Sequence, residues 1–389
     1  MKVPPLIPVY LDYNATTPCD DKVIEEMIPF FNVIYGNAAS TNNHHGNQAH
    51  HAVEEARKKI STLIGSNPDE IIFTSGATES NNLALRGLYS INNVNGNHII
   101  TSSIEHPSIL ATLKDLEKEG ASVTYIEPET NGEISVDKIK SAIMDTTILI
   151  SIMYANNELG TINAIDSIGN IAREYGITFM CDATQAVGKM TLDMHSNNID
   201  LLTFSAHKIY GPKGVGALYL RKSSGVFDTL IKKQITGGYG ESGLRSGTLN
   251  VPGIVGFGKA AERAEEALNT GEPTKMKRLR DRFEQQLLTF AMVTFNGAEC
   301  PRLPHVSSVT FADIDFKRFL EKLTQSLSIS TSSACSSGHA AGSHVLRGIG
   351  LNDHQVKSSV RFSFGRQTRP EEVEFALTVI KELYPTCHL

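Results

Sequence analysis

The tetrad Ser205-Ala206-His207-Lys208 follows directly on an apolar, strand-like run that ends at Phe204, and a Gly/Pro turn separates it from a second such run, 216–220. Lys208 therefore belongs at the mouth of a sheet. An amine there can condense with an aldehyde, while the serine and histidine beside it suit an anion such as a phosphate. Earlier in the chain, Asp182 closes the apolar run 178–181 and leads into Ala183, Thr184 and Gln185. A carboxylate so placed needs a cationic partner, because burying it alone is costly. One strand–helix–strand step separates it from Lys208. A carboxylate for a pyridinium nitrogen, a lysine for an aldehyde and phosphate-binding neighbours together meet the needs of pyridoxal 5'-phosphate.

Two glycine-rich stretches suggest other ligands and fail on context. Residues 211–216 lack the Gly-Lys-Ser/Thr ending of a nucleotide P-loop. Residues 238–243 fit G-x-G-x-x-G, but no strand-like run precedes them and 245–252 open a helix poorly, which argues against a dinucleotide site.

The elements that must carry these groups are short apolar runs at 71–73, 98–101, 123–126, 148–152, 178–181, 201–204 and 216–220, alternating with amphipathic segments at 49–64, 79–89, 107–118, 137–144 and 165–175. That alternation predicts an α/β domain with a mainly parallel sheet, whose ligand crevice lies at the carboxyl ends of the strands. The polar residues fall at those ends. Thr78 lies in a small-residue helix start suited to phosphate, His106 precedes the proline-led helix at 107, and Asn156 and Asn157 follow the run 148–152. Beyond residue 252, two long amphipathic helices and further strands at 306–311, 328–331 and 360–364 predict a smaller α+β domain, with a linker at 269–274 or 253–258. Within it, residues 332–343 surround Cys335 with serine, alanine and glycine, the setting of a mobile thiol nucleophile, whereas Cys181 reads as core.

With 389 residues, 40% of them hydrophobic, the chain can build two domains with real cores. A net charge of −6 offers no broad basic face, so direct nucleic-acid binding is not expected and small polar ligands or proteins are the fitting partners. The five cysteines are scattered without a C-x-x-C, which points to neither disulfides nor zinc and suits a reducing cytoplasm. No apolar run is long enough for a membrane span, and the histidines 44, 45, 50 and 51 read as a solvated face, not a metal site.

Taken together, the motifs Ser-Gly-Ala-Thr-Glu-Ser from 75, Glu-His-Pro from 105, Asn-Asn-Glu-Leu-Gly from 156, Asp-Ala-Thr-Gln from 182, Ser-Ala-His-Lys from 205 and Arg-Ser-Gly-Thr from 245 resemble the pyridoxal-phosphate cysteine desulfurases of the nitrogen-fixation and iron–sulfur-cluster class, within the class V aminotransferases. The likeness runs from Tyr10 to Arg366. It implies the type I fold of aspartate aminotransferases: a large cofactor domain at 17–261 with a seven-stranded, mainly parallel sheet, a smaller α+β domain from 1–16 and 262–389, and a homodimer. It gives Lys208 the cofactor aldehyde, Asp182 the pyridinium nitrogen, Gln185 the ring hydroxyl oxygen and His106 the stacking position. Thr78, Ser205 and His207 take the phosphate, with Thr248 reaching the phosphate of the neighbouring subunit, and Ala77 also contacts the cofactor. Asn37, Asn157 and Arg361 take the substrate carboxylate, Asn157 also touching the cofactor, and Cys335 accepts sulfur. The implied reaction turns L-cysteine into L-alanine and leaves a persulfide for a sulfur-acceptor protein. A selenocysteine lyase or another lyase or aminotransferase on this fold is the alternative, and Cys335 argues against plain transamination. The chain departs from the family pattern at Ala38, Asn43, Tyr239, Gly240 and Ser242, all outside the cofactor motifs.

Overall fold

Strands built of isoleucine and leucine on successive positions present apolar side chains to both faces, so their sheet must be covered on both sides. The computed structural model describes residues 8–93, 96–223, 226–227, 231–331 and 342–388. Its main sheet has seven strands in the spatial order Ile71–Thr74, Gly216–Leu220, Leu201–Ser205, Thr178–Asp182, Thr147–Ser151, His98–Ser102 and Ser122–Ile126. Gly216–Leu220 runs antiparallel to both of its neighbours, and the other pairs are parallel. Ile99, Leu149 and Leu201 pack on one face, with the helices Ala77–Asn92 and Pro107–Lys118. Ile100, Ile150 and Leu202 pack on the other, with His44–Ile64, Ile165–Glu174 and Val251–Asn269.

A second core lies under the antiparallel sheet Val293–Asn296, Val306–Phe311, Ser359–Ser363 and Ser330–Thr331. Phe283, Phe311, Phe319, Phe362 and Phe364 fill it from strands, loops and the helices Glu272–Leu287 and Phe316–Leu323. Val9 and Leu11 join this core, and Val9–Tyr10 pairs in parallel with Leu327–Ser328. The first core includes Ala264 of the helix Val251–Asn269, so residue 261 and the glycines at 253–258 lie inside a continuous helix. That helix ends before Thr270 and Gly271, and the next begins at Glu272.

Three local differences from the sequence reading have clear causes. The first long helix begins at His44 because Asn43 caps it, its side chain accepting the Gly46 amide at 2.9 Å. The run 328–331 divides, with Leu327–Ser328 facing the N-terminal strand and Ser330–Thr331 facing Ser359–Ser363. The strand Val293–Asn296 was not expected, its polar alternation being too short to register. The G-x-G-x-x-G stretch is a clamp: Glu241 accepts Arg57 Nη1 and Nη2, each at 2.9 Å, and the Phe73 amide at 2.7 Å, fastening the stretch to the strand Ile71–Thr74.

Candidate active site

At the end of the strand Ile71–Thr74 the chain turns at Gly76, whose φ of 153° favours glycine, and enters the helix Ala77–Asn92. On the adjacent strand a side chain at Gly216 would place its Cβ 2.6 Å from the Gly76 Cα, so only glycine lets the turn lie this close. Among the described residues no side chain caps the helix, which leaves its first amides to face an anion. Ser75, Ala77, Thr78, Ser205 and His207 line that end of the cavity. His207 approaches the Thr16 hydroxyl at 3.0 Å. Burial, and then the charges of Lys208, Lys213 and Lys189, push it down to about 4, so the imidazole is neutral.

The middle of the cavity is built on neighbouring strands, since Asp182 is paired in register with Thr203. Asp182 is 7% exposed and accepts the Asn81 amide at 3.0 Å and the Thr184 backbone N–H at 2.9 Å. Thr203 donates to Asn81 at 2.6 Å, and Asn81 donates to Ser108 at 2.9 Å. Ser108 reaches His106 Nδ1 with its hydroxyl at 2.8 Å and its backbone N–H at 3.2 Å. The backbone N–H can only donate, so Nδ1 is the accepting nitrogen and the neutral ring carries its proton on Nε2. Desolvation lowers the proton affinity of His106, Lys208 and His344 reinforce this, and Asp182 opposes it. Lys208 donates from Nζ to the carbonyls of Asn14 at 2.5 Å and Ala15 at 2.8 Å.

Beside His106, Glu105 is buried, its Oε1 accepting Ser102 Oγ at 2.7 Å and the Met153 amide at 3.0 Å. Its Oε2 is buried without a partner among the described residues. Burial pushes Glu105 up to about 8, so it is a neutral acid at pH 7.

The opposite wall comes from residues distant in sequence. Arg361 donates to the Asn157 carbonyl at 2.8 Å and pairs with Asp12 at 2.6 Å. Its Nε is buried without a partner among the described residues. Ser343 bonds Glu158, and His344 lies 3.0 Å from the Glu105 carbonyl.

The cavity so formed has a volume of about 680 Å³. It gathers Ala77, Thr78, His106, Asn157, Asp182, Gln185, Ser205, His207, Lys208 and Arg361, all singled out from the sequence. Asn37 lies outside it, exposed, accepting the Ala39 amide at 3.0 Å, and Thr248 is also exposed and outside. Cys335 lies outside the described residues, and Ser330 and His344 on either side of that segment line the cavity. Cys181 is fully buried, and burial first, with Asp182 and Glu105 beside it, raises its thiol well above the usual value. The sequence reading missed Asp12, Asn14, Glu158, Lys189 and His305, whose partners only the folded chain reveals. An uncapped helix start, a buried carboxylate across the sheet and a lysine between them fit pyridoxal phosphate.

A profile of the Aminotransferase class-V family matches residues 9–375. The chain belongs to that family. This class-V family member is 44% identical over 379 residues to the cysteine desulfurase IscS of Anaeromyxobacter dehalogenans, covering 97% of this chain and 92% of the relative. To the IscS of Methylococcus capsulatus it is 43% identical over 376 residues, again covering 97% and 92%. Among solved structures, a NifS-like protein matches with a TM-score of 0.89 and 35% identity, covering 98% of this chain and all of that one. SspA in complex with cysteine matches with a TM-score of 0.82 and 38% identity over 92% of this chain and 98% of that one.

Proposed function

We propose that this class-V family member is a pyridoxal-phosphate-dependent cysteine desulfurase that converts L-cysteine to L-alanine and takes up the sulfur on Cys335. The observation that carries the reading is the convergence of Lys208, Asp182 and His106 on one cavity whose far wall holds Arg361. Near full-length likeness to relatives curated as cysteine desulfurases supports it. The bound cofactor supplies an aldehyde for an amine and an electron-accepting ring.

Within this reading each residue has a defined task. Asp182, held by Asn81 and the Thr184 amide, keeps a proton on the ring nitrogen. Arg361 turns its guanidinium to the substrate carboxylate beside Asn157, which fixes the Cα near Lys208. Lys208 would hold the cofactor's aldehyde and its amine would serve as the base for the substrate's Cα proton. The neutral His106 would cover the ring and would have its Nε2 proton to offer. The Cys335 thiolate attacks the substrate sulfur, forming an S–S bond as the C–S bond breaks. The electron pair of that bond passes to the substrate fragment, which takes up one proton at Cβ, regains at Cα the one that Lys208 holds, and leaves as alanine. No outside oxidant or reductant is consumed. Asn37, exposed on the single chain, joins Asn157 and Arg361 in holding the substrate carboxylate, and Thr248, also exposed, serves the phosphate of a second copy in a homodimer. A sulfur-acceptor protein then collects the persulfide in the cytoplasm. No described helix is long and apolar enough to cross a membrane.

The test mixes the protein with cysteine and measures alanine by assay and protein-bound sulfur by intact mass. Cys335→Ala is expected to bind cysteine but release no alanine and gain no sulfur, while Cys181→Ala keeps both. Persulfide formation surviving in Cys335→Ala would move the nucleophile elsewhere.

A further inference from the structure

Beneath the cavity lies a lysine that the reaction described above does not use. Lys189 is 6% exposed. It lies four positions after Gln185 in a run of turns where the Lys189 amide bonds the Ala186 carbonyl at 3.0 Å, and the fold of that run brings the two side chains together. Gly188 allows that turn to press inward: its φ is 70°, and a Cβ there would come 2.7 Å from Ile209 Cγ2. The Lys189 amine donates to Gln185 Oε1 at 3.3 Å. Burial, and then the charges of Lys208 and Arg361, push it down to about 7. A buried amine with cations for neighbours is a poor source of stability.

Its bond does settle the orientation of Gln185. Gln185 Nε2 donates to the Asn14 carbonyl at 3.2 Å, and a carbonyl can only accept. That same carbonyl accepts Lys208 Nζ. Asn14 is itself held on three sides: by Ser363 Oγ at 2.9 Å, by the Asn157 carbonyl at 3.0 Å and by His305 Nε2 at 2.7 Å. With Oε1 held by Lys189 and one N–H by Asn14, the second N–H of the Gln185 amide is left for the cavity. Were the amide to turn over, its oxygen would face the Asn14 carbonyl.

We propose that Lys189 is a positioning residue that acts through Gln185, fixing its amide so that an N–H is presented to the oxygen substituent of the bound cofactor ring beside Lys208. The inference rests on the reading of the site given above. Lys189 touches neither substrate nor cofactor.

The experiment uses the full chain loaded with pyridoxal phosphate and follows the visible absorption band as a function of pH, with kcat, KM and melting temperature measured alongside. In Lys189→Met the midpoint of the band is expected to move by about one pH unit, a tenfold change in proton affinity. Its kcat falls about tenfold while KM for cysteine stays within about twofold, the pattern of an interaction lost in the transition state. Melting is expected to be unchanged or higher, since an apolar side chain replaces a poorly paired amine. Lys189→Arg or Lys189→Gln, either of which can donate to Oε1, should restore the midpoint. In a Gln185→Leu background, Lys189→Met should shift it no further. An unmoved midpoint in Lys189→Met, an equal shift in the Gln185→Leu background, or failure of both donor variants to restore it would overturn the proposal. So would a Lys189→Met chain that melts far lower, because the amine would then be holding the fold. Lys208→Ala checks the underlying reading separately: a visible band linked to the protein there would sink that reading whatever Lys189 does.

Discussion

The floor of the cavity and its far wall are built in different ways. On the floor, Asp182 is the last residue of a strand, Lys208 ends the short 3-10 turn after the next one, and Glu105 and His106 follow a third. Each side chain is a few residues from a hydrogen-bonded ladder, so the sheet sets its place. On the wall, Arg361 meets Asp12 across almost the whole chain, and Asn14 meets His305 and Ser363. Arg361 is held in a ladder too, paired with Ser308 and Ser330, but its side chain is aimed by bonds to the distant Asp12 and Asn157. The floor is a product of secondary structure, and the wall exists only once the two cores have docked.

The comparison is broken most severely from the floor. Asp182→Ala should lower kcat by about 10²-fold or more, some 2.7 kcal/mol at tenfold per ~1.4 kcal/mol, with the cofactor still bound because its other contacts remain. Turnover close to normal at full cofactor occupancy, read from the visible spectrum, would reject that role.

The wall should fail differently. Arg361→Ala removes a charge-assisted bond to the substrate, so KM for cysteine should rise about tenfold or more while kcat changes less. It also strands Asp12, whose side chain is 17% exposed beside an arginine that is 7% exposed, so the fold should lose about 2 kcal/mol or more. Adding Asp12→Ala should return part of that stability and none of the affinity. A KM unmoved by Arg361→Ala in steady-state assays would take the carboxylate away from this wall.

A last effect, read in stability and not in turnover, separates burial from pairing. Glu105 is raised to about 8 in the fold, whereas its unfolded value is near the model carboxylate at 4.5. Between those values the folded chain holds a proton that the unfolded chain has released, so this group favours folding fully below pH 4.5 and loses that contribution as pH rises through 8. Glu105→Gln keeps the neutral shape, and denaturant unfolding at pH 5, 6.5 and 8 should show a flatter decline than in the unaltered chain. Equal slopes would mean that Glu105 is already ionised in the fold.

This difference also explains what could be read from the sequence. The strand runs, the exit positions of Asp182 and Lys208 and the small-residue cup before Thr78 are local signals, and they meet at one cavity. Arg361 was legible only through family resemblance, because nothing near Ser359–Ser363 hints that it faces Asp12. Asn14 carried no signal at all: its value lies in a main-chain carbonyl, which any residue type possesses. Lys189 was hidden for another reason. A lysine in a turn reads as solvated, and only the packing of Gly188 against Ile209 shows that this one is not.

The pairing of Asp12 with Arg361 also orders events at the ribosome. Every floor residue from Gly76 to Lys208 has been synthesised, together with Asn14, long before Arg361 leaves the exit tunnel, and domains fold in the order in which they emerge. The nascent chain therefore contains the strand-borne residues of the floor well before the wall, although the core beneath them still awaits Val345, Leu346, Ile349 and Val356. Asp12 waits as an unpaired carboxylate until the last strand of the smaller sheet arrives to close the site.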